Sequence, residues 1–566
     1  MSDLVVTQPR RFLDRLIART DATPDRVIVH SYAADGTLTE VTVGALVAAA
    51  ARRAALLATR IRPGDTVFVI EHEPLQQIYW WLASVLAGGV PGILTPPTPK
   101  LDPAKYWSDL ASILATYRAF VVFGTGVFAN SPADSRFFGY DGTDFGSSRD
   151  RVDVGAASAW SPPASRDSGA PFVFQQSSGT TGLRKGVLLD EGTVLQQLES
   201  YAQAIHLDRG DAIVSWLPLY HDMGLVAVLL QSIYHAIPLA ITSPFAWLVE
   251  PAWLFKAIER HRATLCWLPN FALDLLARRV SPADFTGATL ASLRLVVNCS
   301  EPVLPSSVQH FGAAFAAIGL RPQALSSCYA MAENAFAVTQ TPPGSPIVIE
   351  TIDWQIADAR ARAVPAANGR MIAGSGRAIA GTEVCIAEST GRPCGDGDIG
   401  EVWVRGASLM TGYVGIGAER CVIDAEGWYR SGDLGYLRNG TLFVIGRGDD
   451  MIIRGGRNIN PAYLEAAAAT VEGIKPGRIA AFGIANDAEG TDDVVVVAER
   501  DPTAAADDRS LRSRIVAACI AATGIAPQRV DIVEPAWLVK SSSGKVARRA
   551  CRTKWCAVSP SQRDAA

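Results

Sequence analysis

The chain of 566 residues is long enough for two or more hydrophobic cores, because single cores stop growing well below that length. Its 49% hydrophobic and 19% charged residues have the balance of a globular enzyme and exclude a disordered or fibrous chain. A formal net charge of -4 removes the electrostatic case for nucleic acid, which demands a strong positive surplus on one face. The nine cysteines are odd in number and never form Cys-x-x-Cys, so reduced structural thiols are expected rather than disulfides or a metal cluster. Asp3, Arg10, Arg11, Asp14 and Arg15 interrupt the first twenty residues, leaving no uncharged core for a signal peptide; the expected location is the cytoplasm.

In chain order, Val27 to His30 and Leu38 to Val43 read as strands joined by a hairpin turn at Asp35-Gly36, two residues that tolerate positive φ. Val67 to Ile70, Leu75 to Ala87 and Val90 to Leu94 then alternate strand, helix and strand, the rhythm of α/β layers. From Asp134 to Ala170 the chain is rich in Ser, Gly, Asp and Pro, which predicts a surface connection before a buried strand at Phe172 to Phe174. Leu225 to Val249 lacks formal charge, but Gln231, Ser232, His235, Pro238 and Pro244 interrupt it, so a buried helix, turn and strand are expected in place of a membrane span. Near Gly446-Arg447-Gly448-Asp449-Asp450 a polar, glycine-punctuated segment separates the expected strands Thr441 to Ile445 and Met451 to Ile453, and reads as a hinge. Beyond it lie an expected helix at Pro461 to Val471, a strand at Val494 to Ala498 and a helix at Arg509 to Ala521. The expected fold class is therefore α/β: a large N-terminal domain (1–446) of layered α/β subdomains plus a β-rich subdomain, and a small mobile C-terminal α+β domain (447–566).

The strongest local chemistry is Ser177-Ser178-Gly179-Thr180-Thr181-Gly182-Leu183-Arg184-Lys185-Gly186, set between two apolar runs. Glycines let backbone N–H groups turn inward, hydroxyls add donors, and Arg184 and Lys185 add charge, a composition suited to polyphosphate. The glycine-to-lysine spacing is not that of a Walker A loop, and taken alone a flexible polar hairpin remains the alternative.

This loop resembles the signature loop of adenylate-forming enzymes, the superfamily of acyl-CoA synthetases, luciferases and peptide-synthetase adenylation domains. Further segments resemble family motifs in the same order: Ser215-Trp-Leu-Pro-Leu-Tyr-His221-Asp-Met-Gly-Leu225, Tyr329-Ala-Met-Ala-Glu333, Tyr429-Arg-Ser-Gly-Asp433, Gly446-Arg447-Gly-Asp449-Asp-Met-Ile452 and Ser541-Ser-Ser-Gly-Lys545. The resemblance implies that a carboxylate attacks the α-phosphate of ATP with loss of pyrophosphate, chemistry in which charge stabilisation dominates. By the same resemblance, Ser177 to Gly182 and Lys185 form the cofactor-binding loop, in which Thr180, Thr181 and Lys185 hold the β- and γ-phosphates, and Glu333 ligates Mg²⁺ that also bridges phosphate oxygens. Tyr329 and the Ser300-Glu301-Pro302 turn wall the adenine, Asp433 accepts the ribose hydroxyls and Arg447 reinforces that end. Asp449 is the hinge residue, Lys545 is the mobile catalytic lysine, and His221 sits near the acyl carboxylate.

Within the superfamily the chain resembles the fatty acyl-AMP ligase branch, on Leu217 to Leu225, Pro269-Asn-Phe-Ala272 and Gly455-Gly-Arg-Asn-Ile-Asn-Pro461. That branch carries an insertion that disfavours the orientation needed for coenzyme A, and Gln340 to Ala380 lies where it is expected. Ala330 and Asp449 depart from the branch's usual Gly and Lys. The resemblance implies a fatty acid substrate and transfer to the phosphopantetheine thiol of an acyl carrier protein, with coenzyme A as the alternative acceptor and a non-catalytic nucleotide- or acyl-binding regulator as a further one. From Ala536 to Arg563 seven basic residues occur with no acidic one, a strip suited to steering an acidic carrier protein or simply a solvated tail.

Overall fold

The computed structural model describes residues 11–97, 103–117, 119–124, 127, 136–140, 169–176, 186–285, 289–299, 301–414, 423–455, 457–486, 488–504, 506–540 and 546–557. Its largest sheet runs, across its width, Arg377–Ala378, Ala337–Gln340, Leu325–Ala330, Leu295–Asn298, Leu265–Leu268, Ile213–Ser215, Leu239–Thr242, Val27–Tyr32 and Leu38–Thr42. The six middle strands are parallel, and antiparallel strands close both edges. Parallel strands are covered on both faces, and their sequences show it: Leu-Cys-Trp-Leu and Leu-Val-Val-Asn are buried at every position. The expected hairpin is present, with Gly36 at φ 85° in its turn.

A second sheet orders Val90–Leu94, Thr66–Ile70, Phe120–Gly124 and Phe137–Tyr140, all parallel. The last of these strands falls inside the segment read from composition as a surface connection. Phe137, Phe138 and Tyr140 supply the apolar faces that put it there, so that reading is corrected at 137–140. An antiparallel sheet of Thr382–Ala387, Gly400–Gly406, Tyr429–Arg438 and Thr441–Arg447 forms the β-rich part.

The apolar run after His221 begins as a π-helix, Met223–Leu230, and continues as the α-helix Gln231–His235. Gly224 lies so close to the Pro218 carbonyl that a side chain there would collide with it. The strand Leu239–Thr242 and the helix Pro244–Val249 follow, and no helix among the described residues is long and apolar enough to cross a membrane.

Beyond residue 450 two further apolar clusters lie on opposite faces of one sheet, made of Ile474–Asn486, Thr491–Arg500 and Arg529–Val533. Alternation separates them. Val494, Val496 and Ala498 pack with Leu464, Leu511 and Ile515, whereas Val495 and Val497 pack with Cys551 and Trp555. The helices are Pro461–Ala468, shorter than expected, Asp508–Thr523 and Arg548–Ala557.

Candidate active site

Four adjacent parallel strands deliver the sequence-predicted residues from their carboxyl ends, where open α/β sheets present their ligand crevices. His221 follows Ile213–Ser215, Glu301 and Pro302 follow Leu295–Asn298, and Tyr329 lies near the end of Leu325–Ala330, while Leu265–Leu268 delivers Asn270, which was not among the predicted residues. Glu333 sits in the short 3-10 turn Ala332–Asn334 directly after it.

Three of the predicted residues form one connected network. The Tyr329 hydroxyl donates to Asp433 Oδ2 at 2.5 Å, and Arg447 Nε donates to Asp433 Oδ1 at 3.0 Å. Asp433 and Arg447 are cross-strand partners in register, which is why the strand expected to stop at Ile445 continues to Arg447. The Ser431 hydroxyl also accepts from the Asp433 N–H at 3.0 Å while donating to the Val402 carbonyl, so the Asp433 backbone is fixed from two strands. Burial, and then the Asp433 charge, push the Tyr329 hydroxyl well above its ordinary pKa, so it remains a donor. The neighbouring Asp433 carboxylate raises Arg447 in turn.

Glu333 is 7% exposed, and burial raises its carboxyl above the usual range, opposed by a hydrogen bond from Tyr413. That bond, Tyr413 Oη to Glu333 Oε1, is 2.5 Å long, and Tyr413 lies 2.9 Å from the Tyr429 hydroxyl. The other carboxylate oxygen receives no side-chain hydrogen bond among the described residues. A hard oxygen donor with a free edge suits Mg²⁺, which takes one or two carboxylates together with phosphate oxygens and does not need a protein cage. Among the described residues no group of three or more His, Cys, Asp or Glu side chains could hold a metal ion.

His221 Nδ1 lies 2.5 Å from Asp222 Oδ1, which directs the opposite ring nitrogen away from the carboxylate. The Glu301-Pro302 turn is held by Asn270, whose amide donates to the Pro302 carbonyl at 2.7 Å and accepts from Leu304 N–H at 3.3 Å. Asp449 pairs with Arg549 at 3.1 Å, and Arg548 bridges Asp450 and Glu465 at 3.2 and 2.7 Å. Two charges of the basic C-terminal strip, Arg548 and Arg549, are thus compensated locally. Residues 177–185, Ser300 and 541–545 lie outside the described residues, so the loop Ser177, Ser178, Gly179, Thr180, Thr181, Gly182 and Lys185, with Ser300 and Lys545, has no geometry to compare.

Sequence reasoning missed Tyr413, Asp222 and the Asn270 clasp as site residues. Asn270 had one usable signal, the Pro-Asn step that ends a buried strand. Tyr413 had none, because its partner is 80 residues away.

An α/β fold with Tyr329 at the carboxyl edge of a parallel sheet, joined to Asp433 and Arg447 of the antiparallel sheet, fits a nucleotide-using enzyme of the adenylate-forming class. Residues 17–414 match the family described as AMP-binding enzyme, and the chain belongs to it. Among its relatives in Mycobacterium tuberculosis are Rv1013, named a ligase, at 30% identity over 87% of this chain and 90% of that protein, and the long-chain-fatty-acid–AMP ligase FadD28, at 30% identity over 67% of this chain and 69% of that protein. A chain solved in structural and functional studies of fatty acyl-adenylate ligases from E. coli and L. pneumophila superposes with a TM-score of 0.83 at 25% identity, covering 96% of this chain and 97% of that one. The protein is an adenylate-forming ligase.

Proposed function

We propose that this ligase activates a fatty acid with ATP to acyl-AMP, releasing pyrophosphate, and passes the acyl group to the phosphopantetheine thiol of an acyl carrier protein. The observation that carries the first half is the Tyr329, Asp433 and Arg447 network beside the buried Glu333. In this reading Tyr329 and the Glu301-Pro302 turn enclose the adenine. Asp433 accepts the ribose hydroxyls on lone pairs that Tyr329 and Arg447 leave open, since each carboxylate oxygen holds two. Glu333 and the Ser177 to Lys185 loop hold Mg²⁺ and the polyphosphate, and bound Mg²⁺ supplies charge neutralisation for the departing pyrophosphate. Lys545 neutralises charge that grows at the α-phosphate, and His221, oriented by Asp222, lies beside the acyl carboxylate. The fatty nature of the acid rests on the names of FadD28 and of the superposed acyl-adenylate ligases.

The division into a large N-terminal domain (1–446) and a mobile C-terminal domain (447–566), with Asp449 as hinge residue, is supported by the separate apolar clusters beyond residue 450. The acceptor assignment is supported by contacts between the Gln340 to Ala380 segment and that C-terminal portion. The Arg370 guanidinium lies between the Trp354 and Tyr463 rings, at 3.9 and 4.2 Å from their centroids. Trp354 Nε1 donates to the Asn458 carbonyl at 3.3 Å, and Arg457 faces Asp358 at 3.8 Å. These contacts resist rotation of the C-terminal portion toward a coenzyme A-accepting orientation. Incubating the protein with a fatty acid, ATP and either coenzyme A or a phosphopantetheinylated carrier protein tests the acceptor: the carrier thioester is expected, and coenzyme A thioester as the main product would make the protein an acyl-CoA synthetase.

A further inference from the structure

We infer that Tyr413 is the positioning residue for Glu333, an inference that rests on the proposed adenylation site and deepens it. Tyr413 opens the two-residue strand Tyr413–Val414, which pairs antiparallel with the strand that leaves the phosphate-loop segment: Tyr413 opposes Val187 and Val414 opposes Gly186. From that strand its buried hydroxyl reaches Glu333 Oε1 at 2.5 Å.

The Glu333 turn is also fixed from two other directions. Met410 N–H donates to the Glu333 carbonyl at 2.8 Å. Gln175, on the strand that enters the phosphate-loop segment, donates to the Ala335 carbonyl at 3.4 Å. Between them Ala335 stands at φ 55°, ψ -45°, with Phe336 N–H bonded to the Asn334 carbonyl at 2.5 Å, a tight turn that a residue bearing a Cβ adopts only under constraint. Both stems of the loop, Pro171–Gln176 and Gly186–Asp190, are therefore tied to the Glu333 turn, one through its backbone and one through the Tyr413 hydroxyl to its carboxylate. A free glutamate side chain has three rotatable bonds. One short hydrogen bond from a rigid ring fixes the carboxylate while leaving its second oxygen for a ligand, and anchoring that ring on the loop's own stem keeps the carboxylate in register with the polyphosphate. Tyr429, 2.9 Å from the Tyr413 hydroxyl, orients the donor.

The test uses the full-length protein as wild type, Tyr413→Phe, Glu333→Gln and the double variant. Phenylalanine keeps the ring packing and removes only the hydroxyl. ATP binding is measured by calorimetry with excess Mg²⁺ and with EDTA, alongside the melting transition. Tyr413→Phe is expected to weaken Mg²⁺-ATP binding by roughly tenfold or more, the range for a hydrogen bond to a charged group, with Mg²⁺-free binding and melting unchanged. In the Glu333→Gln background the same change is expected to add nothing. Equal weakening with and without Mg²⁺, a lowered melting transition, or full additivity with Glu333→Gln would reduce Tyr413 to a packing role and overturn the inference. If Glu333→Gln weakens Mg²⁺-ATP binding and Tyr413→Phe does not, the inference alone fails. If Glu333→Gln itself has no Mg²⁺-dependent effect, the reading of Glu333 fails and takes the inference with it.

Discussion

At the scale of single residues, the proposed site separates the charges assigned to nucleotide recognition from Lys545, the charge assigned to adenylate formation. Asp433 serves Tyr329 and Arg447 on separate oxygens, so an Asn there keeps one acceptor, turns the other into a donor and removes the carboxylate charge that faces Arg447. Asp433→Asn is expected to raise the KM for ATP by roughly 10- to 100-fold, the cost of losing charge-assisted hydrogen bonds, and steady-state pyrophosphate release against ATP concentration checks it. Lys545→Ala is expected to slow adenylate formation by roughly 10²- to 10³-fold through loss of one preorganised cation, with little effect on thiol transfer from synthetic acyl-adenylate. Pyrophosphate exchange and a separate transfer assay distinguish the two half-reactions; equal loss in both would assign Lys545 to folding or general binding. Glu333, Tyr329, Asp433 and Arg447 were legible in sequence because each sits in a short motif whose spacing is local. Tyr413 and Asn270 were not, because their contribution is a hydrogen bond across 80 and 32 residues that exists only once separate strands are aligned.

At the scale of elements, periodicity identified the strands and helices that alternate cleanly, such as Thr66–Ile70, Pro74–Leu86 and Val90–Leu94. It failed where tertiary pairing overrides local composition. The polar Gly446-Arg447 pair reads as loop, yet pairing with Leu434 and Asp433 holds it in a strand. Asn460 adds a clasp there, its amide donating to the Ile445 carbonyl while its oxygen caps the Pro461–Ala468 helix at Ala462 N–H. A Cβ at Gly446 would lie 2.6 Å from that amide nitrogen, so Gly446→Ala is expected to destabilise by about 1–3 kcal/mol, read from a denaturant midpoint. The Trp354 and Arg370 contact carries the acceptor argument at this scale. Trp354→Ala is expected to leave pyrophosphate exchange intact and to raise coenzyme A thioester formation above the wild-type level; an unchanged acceptor ratio would remove that contact from the argument.

For the whole molecule, two partly buried histidines are expected to weaken the fold as pH falls. Burial lowers His235 to about 4, with Glu199 and the Leu198 carbonyl opposing the shift. Burial also lowers His261 to about 4, reinforced by the His30 ring and Arg260. Unfolded histidines titrate near 6.5, so between about 6.5 and 4 the unfolded chain binds more protons than the folded one. The stability these groups contribute is complete above about pH 6.5 and is lost as pH falls toward 4. For the more deeply buried His235 the loss is on the order of 1–3 kcal/mol. Denaturant midpoints recorded from pH 7.5 to 4.5 are expected to fall steadily, with a shallower fall in His235→Gln.

In the proposed reaction the site joins a fatty acid to AMP. Fatty-acid-dependent exchange of labelled pyrophosphate into ATP, with the acyl-AMP product identified by mass, tests it most directly. Exchange is expected to require the acid, ATP and Mg²⁺ together and to proceed without coenzyme A or carrier protein. Nucleotide binding without acid-dependent exchange across fatty acids of varied chain length would contradict it.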